Sequence, residues 1–473
     1  MKMLNFDYFI RTFDAYFTGW DFAIMPFILI AIALYGRSVK KKREVSDPVY
    51  HYYALALNIK IIGAVLFCLG YTILLRGGDT SLYFWSSRSC ANLAYDDFGA
   101  YWQILIGKVN TETLSAFNSE TGYVAYTRDM RAFAVVRLTS VISLVFGKSY
   151  LLTTMALNLV LFNAFWRFFR LLHSLYPHLA KPMFWSVFLI PSVVFWGSGI
   201  LKDSYTMAAT LWFTYAAYYL IIKFDRKQFW RCVLYAIISV YIFVIIKPYI
   251  LFALIGGISM WFVFGWLKKV KRPFLRVFVF PLLLGLAFVG AGAGVVRLTQ
   301  SAGGFYRSPE TMMERAVIIQ NDLKQDYYGD NSFDIGRFDA SYSGVMSKSP
   351  IAIVSGLFRP FLWEATGPTL FMSAIENTVI MVLLLLAILG RGIRNFFKQL
   401  SENHYVVFAL SFSMLLAFMI GLTTANFGAL VRYKIPFLPL LISALLIIYF
   451  NYRKIRKDSK ITSKHPIDEK NYP

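Results

Sequence analysis

The chain has 473 residues, of which 58% are hydrophobic and 16% are charged, and it carries a formal net charge of +22. Apolar runs long enough to cross the ~30 Å hydrocarbon layer of a bilayer recur along it, which excludes an ordinary soluble globular protein. The basic residues cluster in short segments between those runs, as the positive-inside rule requires. The charge therefore indicates membrane topology, and we expect no nucleic-acid partner.

The apolar runs predict an all-α polytopic membrane protein with about eleven transmembrane helices. We divide the chain into an interfacial helix with the first span (residues 1–53), a transmembrane core (54–450) and a basic cytoplasmic tail (451–473). In chain order, the predicted spans are residues 20–35, 54–75, 151–169, 183–199, 205–222, a sixth that ends at 246, 249–266, 274–296, 371–389, 405–422 and 430–450.

Basic clusters give the predicted spans a direction. The Lys and Arg residues within 37–43 place that loop in the cytoplasm, so the second span runs outward and delivers Asp79 to the outer face. Within the first outer loop, residues 133–146 are apolar but short and contain Arg137, so we predict a helix on the membrane surface. Lys60 lies in the cytoplasmic half of the second span, where we expect it to snorkel to the interface. The two large outer-face loops are residues 76–149 and 297–370.

Residues 76–83, Arg-Gly-Gly-Asp-Thr-Ser-Leu-Tyr, lie where the second span ends and a polar loop begins. Gly77 and Gly78 allow a sharp turn, and a helical turn after them would place Tyr83 on the same face as Asp79. This arrangement suits a catalytic acid or base at a membrane surface. The alternative is a helix stop with a solvated capping aspartate.

Ionisable residues from several separate connections fall on the predicted outer face. Charges at this depth are costly unless they are paired or hydrated, which makes them functional candidates, although interfacial anchors have the same composition. A carboxylate suits proton abstraction, and cations suit a lipid phosphate. The candidates are Asp79 and Asp203 for catalysis and, for substrate binding, Tyr83, Lys202, Lys247, Arg359, Glu364, Arg432 and Lys434.

Carboxylates alternate with aromatic residues in the second outer loop, between Asp322 and Tyr342. Acceptors and aromatic faces would suit sugar rings, but a small folded loop needs the same residues for its own core. The acidic spacing does not match an EF-hand, and the sequence has no P-loop. Metal dependence is therefore left open, with Mg²⁺ or Mn²⁺ as the alternatives for a divalent ion.

Four short stretches carry a resemblance to known families. They are Gly77-Gly78-Asp79, residues 191–203 (PSVVFWGSGILKD), residues 358–364 (FRPFLWE) and residues 432–439 (RYKIPFLP). Together with the predicted topology, the first, second and last resemble the GT-C class of integral-membrane glycosyltransferases. Residues 191–203 and 358–364 also look like stretches of uncharacterised bacterial surface-polysaccharide membrane proteins.

The resemblance implies a bacterial inner-membrane enzyme whose active site faces the periplasm or the cell exterior. It would move a sugar from a polyprenyl-phosphate-linked donor to an outer-face glycan or glycolipid acceptor in surface-glycan assembly. Asp79 would be the base, and Asp203 would be a second carboxylate or a metal ligand. The cations that would hold the leaving phosphate are Arg432, Lys434, Lys202 and Arg359.

Two other functions remain open at this point. A polysaccharide repeat-unit polymerase of the O-antigen type would use the same groups on a larger substrate. A lipid-linked sugar transporter or flippase would be expected to show internal repeats and charges near the membrane midplane. The sequence shows no evident internal repeat.

Overall fold

The computed structural model describes residues 16–75, 78–267, 308–322, 331–390 and 392–450. The predicted span 274–296, the predicted tail 451–473 and most of the N-terminal interfacial segment lie outside these residues. The first helices are α1 (Gly19–Arg43), α2 (Tyr53–Leu75), α3 (Asp79–Asp96), α4 (Phe98–Leu105), α5 (Thr111–Ser115), α6 (Met130–Phe146), α7 (Tyr150–Leu175), α8 (Ala180–Phe188), α9 (Pro191–Trp196) and α10 (Lys202–Ala217). After a π-helical turn at Tyr218–Ile222, the following helices are α11 (Phe229–Ile246), α12 (Pro248–Leu267), α13 (Pro309–Asp322), α14 (Tyr342–Ser347), α15 (Ser349–Phe358), α16 (Pro368–Ile388), α17 (Ile393–Glu402), α18 (His404–Thr423), α19 (Phe427–Tyr433) and α20 (Leu438–Phe450).

Seven of the described helices are long and apolar enough to cross a membrane, and the bent pair α19–α20 makes eight if it forms one span. The seven segments are Gly19–Arg43, Pro48–Ile73, Tyr150–Leu175, Phe229–Ile246, Pro248–Gly265, Pro368–Ile388 and His404–Thr423. The prediction of an all-α, multi-pass membrane protein is therefore confirmed, and a lipid bilayer is the environment that such helices suit. The predicted count of about eleven is not confirmed.

Two predicted spans are interrupted. Residues 183–199 form α8 and α9 with a two-residue break between them, because Pro191 has no N–H donor and keeps the residue before it out of the helical region. Ile190 is accordingly extended, with φ −75° and ψ 117°. Residues 430–450 include the break between α19 and α20, which meet at 66° around a turn that contains Pro436. The structure corrects both predictions of one continuous helix.

Small residues allow the closest helix contacts. On α15 and α18, Gly356 and Gly421 face the partner helix so closely that an added Cβ would collide with its backbone. On α2, a Cβ at Gly63 would lie 2.8 Å from a carbonyl oxygen of α9. Such small-residue faces are typical of helix pairs in membranes, where tight van der Waals packing replaces the hydrophobic effect.

Residues 133–146 fall within α6, which packs against α3 and α7. Arg137 is buried there, and its Nη1 donates to the Leu105 carbonyl oxygen at 3.2 Å. The Arg137 guanidinium is thus held by the last residue of α4. That α6 lies flat on the membrane stays a prediction.

Candidate functional site

Asp79 is the first residue of α3 and follows Gly78, whose φ of +140° favours glycine. A Cβ at Gly78 would also lie 3.0 Å from the Tyr71 hydroxyl. The Asp79 side chain is 46% exposed. Its Oδ1 accepts a hydrogen bond from the Tyr126 hydroxyl (3.0 Å), and its Oδ2 lies 3.4 Å from Arg432 Nη1. Asp79 is therefore a half-exposed carboxylate held by two distant parts of the chain, which is more than a solvated helix cap.

Tyr126 reaches Asp79 from a strained position. Its φ of +65° is in the left-handed region, which is uncommon for tyrosine and typical of functional sites when it persists. Its ring centroid lies 5.0 Å from that of Tyr83, which is buried and supports Tyr126 from behind. Burial raises the pKa of both tyrosines, and the Asp79 carboxylate raises it further. Tyr126 is therefore a stable hydrogen-bond donor to Asp79.

Arg432, at the end of α19, bridges two carboxylates. Its Nη1 and Nη2 lie 3.4 and 3.5 Å from Asp79 Oδ2, whereas its Nε donates to Asp203 Oδ2 at the shorter distance of 3.1 Å. The guanidinium also lies over the Trp196 ring, with Cζ 5.7 Å from the centroid. The side chain is 18% exposed. Arg432 is thus anchored through Nε, while its terminal nitrogens are more loosely held.

Asp203, the second residue of α10, is fully buried between two cations. Its Oδ1 pairs with Lys247 Nζ at 2.5 Å, and its Oδ2 pairs with Arg432. Lys247 lies between α11 and α12, where Pro248 prevents one continuous helix. Its ammonium also lies 3.9 Å from the centroid of the Tyr433 ring. Because buried charges are tolerated when they are paired, these groups form one mutually dependent ion cluster.

The charges of this cluster balance. Burial acts to raise the pKa of Asp203, but Lys247 and Arg432 outweigh it, so the pKa lies below its ordinary value. Burial lowers the pKa of Lys247 to about 8, while Asp203 acts in the opposite direction. Two carboxylates, Asp79 and Asp203, face two cations, Lys247 and Arg432, so their formal charges balance. An anionic substrate would need further positive charge nearby.

Lys202 is a further cation beside this cluster, and it is paired with a carboxylate of its own. It precedes Asp203 in α10, is 23% exposed, and pairs with Asp129 Oδ2 at 3.0 Å. Partial burial acts to raise the pKa of Asp129, but Lys202 and backbone N–H groups at the start of α6 outweigh it and hold the pKa below its ordinary value. Because an exposed ion pair contributes little free energy, Lys202 can exchange Asp129 for another anion at low cost.

Arg359, Glu364 and Lys434 lie in a second cluster at the end of α15. Lys434 is 2% exposed and donates to the Leu357 carbonyl (3.1 Å), the Arg359 carbonyl (2.5 Å) and Asn377 Oδ1 (3.1 Å). Arg359 Nε pairs with Glu364 Oε1 at 3.3 Å. Because the three ammonium donors are taken and the other two residues pair with each other, this cluster holds the loop after α15. The structure does not bring these three candidates to the Asp79 carboxylate.

The side chains around Asp79 and Asp203 do not form a recognisable metal site. In the described ranges, no group of three or more His, Cys, Asp or Glu side chains is placed to hold an ion. Both oxygens of Asp203 are bound by cations, which suits an anchor for Arg432 better than a metal ligand. The metal-ligand alternative for Asp203 therefore has no support from its surroundings.

Two ionisable residues inside membrane-spanning helices contact the interrupted region from α8 to α10. Lys60 is 4% exposed and donates to the Gly197 carbonyl, so the expectation that it snorkels is wrong. Glu376 on α16, which the sequence analysis missed, accepts hydrogen bonds from Ser192 Oγ (2.6 Å) and Ser192 N (2.9 Å). Glu376 also lines an otherwise apolar cavity of about 310 Å³ beside Pro191. The sequence feature that could have revealed Glu376 is its place as an acidic residue within an apolar run.

Comparison of the chain with protein-family models, with curated proteins and with solved structures finds no match. The geometry and charge of the Asp79 cluster are therefore the basis on which a function can be assigned.

Proposed function

We propose that the chain is a membrane-embedded glycosyltransferase that moves a sugar from a polyprenyl-phosphate-linked donor to a glycan or glycolipid acceptor at the outer face of a bacterial inner membrane. The pairing of Asp79 with Arg432 supports this function best. A half-exposed carboxylate and a guanidinium with loosely held terminal nitrogens lie 3.4 Å apart near the end of a membrane-spanning helix. Transfer from a lipid phosphate requires a base and a phosphate-binding cation side by side.

The reaction transfers one proton, forms one C–O bond and breaks another. The acceptor hydroxyl gives its proton to Asp79 while its oxygen forms a bond to the anomeric carbon of the donor sugar. The bond from that carbon to the phosphate oxygen breaks, and its electron pair leaves with the phosphate. The two terminal nitrogens of Arg432 form a fork that fits phosphate oxygens, and Lys202 adds a second cation. Once the phosphate engages Arg432, Asp79 is released to accept the proton.

Asp203 and Lys247 have a supporting role in this proposal. Asp203 is fully buried and holds Arg432 through Nε, which leaves the terminal nitrogens for Asp79 or a phosphate. Lys247 neutralises the charge of Asp203 from the other side. Because a displacement of ~1 Å in a reacting group can lower a rate by ~10²-fold, a rigidly anchored guanidinium would be a functional advantage that justifies a buried ion cluster.

A lipid-linked sugar transporter or flippase is the second candidate, and one observation favours it. Lys60 and Glu376 are ionisable residues within membrane-spanning helices, and both bind the interrupted region from α8 to α10. Interrupted helices with charges at membrane depth are typical of transporter sites. The two candidates differ in outcome, because a transferase makes a new glycosidic bond whereas a transporter returns its substrate unchanged.

The test is an assay of the purified chain in proteoliposomes with a panel of polyprenyl-phosphate and polyprenyl-pyrophosphate sugars and glycan acceptors. We expect a glycosylated acceptor and release of the polyprenyl phosphate from at least one donor. Product length separates transfer of one sugar from polymerisation of repeat units. If the donor crosses the bilayer and no new glycosidic bond forms, the transporter proposal replaces the transferase proposal.

A further inference from the structure

The turn between α9 and α10, residues 197–201, lies against the middle of α2. Packing is tight at Gly199, where a Cβ would collide with the Phe67 ring, and at Ser198, whose Oγ lies 3.0 Å from the position of a Cβ on Gly63. Because α2 is a membrane-spanning helix, this turn lies at the depth of the bilayer core, where no water is present to form hydrogen bonds with its backbone groups. The protein itself must provide partners for the exposed carbonyl groups.

Side chains from α2, α7 and α10 bind four consecutive carbonyl groups at the end of α9 and in the turn. The pairs are Ser204 Oγ with Trp196 O (3.2 Å) and with Gly199 O (2.7 Å), Lys60 Nζ with Gly197 O (2.5 Å), and Asn158 Nδ2 with Ser198 O (2.6 Å). Unwound carbonyls at an interrupted membrane helix are the groups that bind small cations in transporters. Here one of the donors is itself a cation, the ammonium group of Lys60.

The contacts of Lys60 match the three N–H donors of an ammonium ion. Its Nζ donates to the Gly197 carbonyl and to Ser198 Oγ (3.2 Å), and it lies 4.2 Å from the centroid of the Phe165 ring. The oxygen partners in the described structure are a carbonyl and a hydroxyl, and neither is a carboxylate. What the contacts share is that both oxygens belong to the turn that leads into α10.

We propose that Lys60 is a positioning residue, a tethered cation that fixes the turn 197–201 and thereby sets Asp203 in place for its ion pair with Arg432. Leu201 is the N-cap residue of α10 and Asp203 is the second residue of that helix, so a shift of the turn moves the Asp203 carboxylate. Without the Lys60 side chain, the carbonyl site would take a small ammonium ion instead. The inference rests on the proposed function where its readout is sugar transfer.

The test uses the full chain with Lys60→Ala, which removes three methylene groups and the nitrogen and so leaves space for one propylammonium ion. We expect the thermal unfolding midpoint to fall by about 2 °C or more and propylammonium to restore most of it. Tetramethylammonium, which has no N–H donor, should not restore it. The matched control is Lys223→Ala, at an exposed lysine directly after the π-helical turn that follows α10, and neither ion should change its midpoint.

Sugar transfer is the second readout. Lys60→Ala should lower kcat by about tenfold or more with little change in the acceptor KM, because a misplaced guanidinium affects the reacting complex. Propylammonium should raise kcat again. Lys60→Arg, which keeps a cation with N–H donors, should retain more kcat than Lys60→Met, which keeps side-chain bulk without a charge.

The inference is overturned if Lys60→Met matches the unaltered chain in both readouts, or if tetramethylammonium restores Lys60→Ala as well as propylammonium does. Should Lys60→Ala not fold, Lys60→Gln takes its place, because it keeps a donor for the Gly197 carbonyl without a charge. We expect that variant to fold and to transfer slowly, and normal transfer would overturn the inference. An unaltered chain without transferase activity contradicts the proposed function but leaves the midpoint and its restoration to decide the role of Lys60.

Discussion

Replacing Asp203 by asparagine tests whether the buried ion cluster exists as one unit. Asp203→Asn keeps the size of the side chain but leaves the buried Lys247 and the partly buried Arg432 without their shared carboxylate. Two charge-assisted hydrogen bonds at about 1.5–3 kcal/mol each give about 3–6 kcal/mol, which agrees with the ~3–5 kcal/mol typical of a buried pair that loses one partner. Adding Lys247→Met removes one of the unpaired charges. The double variant should therefore lose less unfolding free energy than the sum of the losses of the two single variants.

The assay is equilibrium unfolding of the purified variants in mixed micelles, arranged as a double-mutant cycle. We expect a coupling free energy of about 1–3 kcal/mol between positions 203 and 247. The matched control is Asp129→Asn, which breaks the exposed pair with Lys202 but keeps a good N-cap for α6, and should cost less than about 1 kcal/mol. Equal losses for Asp203→Asn and Asp129→Asn, or strict additivity in the cycle, would refute the buried cluster.

Three further predictions concern phosphate binding, Tyr126 and topology. Arg432→Gln should raise the donor KM far more than Arg394→Gln, an exposed control in α17. Arg432→Lys should restore little donor binding, because lysine lacks the two-nitrogen fork of a guanidinium. Equal effects of the two glutamine variants would make Arg432 a topology anchor. Tyr126→Phe should slow transfer by about tenfold with a stability loss of only ~1 kcal/mol, and an unchanged rate would remove the hydroxyl from the mechanism. In a cysteine-free background, Trp363→Cys should react with an impermeant thiol reagent added from outside, whereas Lys398→Cys should react only after lysis. Both positions are exposed, so a reagent can reach them from the side that they face. The reverse pattern would invert the topology.

The main cluster could be predicted from the sequence because of where its members stand. Asp79, Asp203, Lys247 and Arg432 lie at or beside ends of predicted spans, and the ends of neighbouring helices on one side of a membrane are close together. The direction of each side chain could not be predicted in this way. Arg432 and Lys434 are two residues apart, a spacing that does not put them on the same helix face. Arg432 binds Asp203, whereas Lys434 binds the carbonyls of Leu357 and Arg359 at the end of α15.

Hydropathy also could not reveal the interruptions. It measures the preference of a segment for an apolar environment, and residues 183–199 are apolar whether they form one helix or two. Pro191 was a visible signal for a break, but its consequence for Lys60 depended on which helix packs beside the turn. The role of Tyr126 could be found only from the tertiary structure, because Tyr126 is 47 positions from its hydrogen-bond partner Asp79 in the chain.

The central claim, that Asp79 is the base in a sugar transfer, is tested most directly by a single-turnover assay of Asp79→Asn with donor and acceptor both bound. Asparagine can still accept the Tyr126 hydrogen bond but cannot take a proton, so we expect the rate to fall by roughly 10²-fold or more with little change in donor binding or unfolding midpoint. Asp96→Asn, at the opposite end of the same helix, is the matched control and should transfer at the normal rate. A normal single-turnover rate for Asp79→Asn would contradict the account.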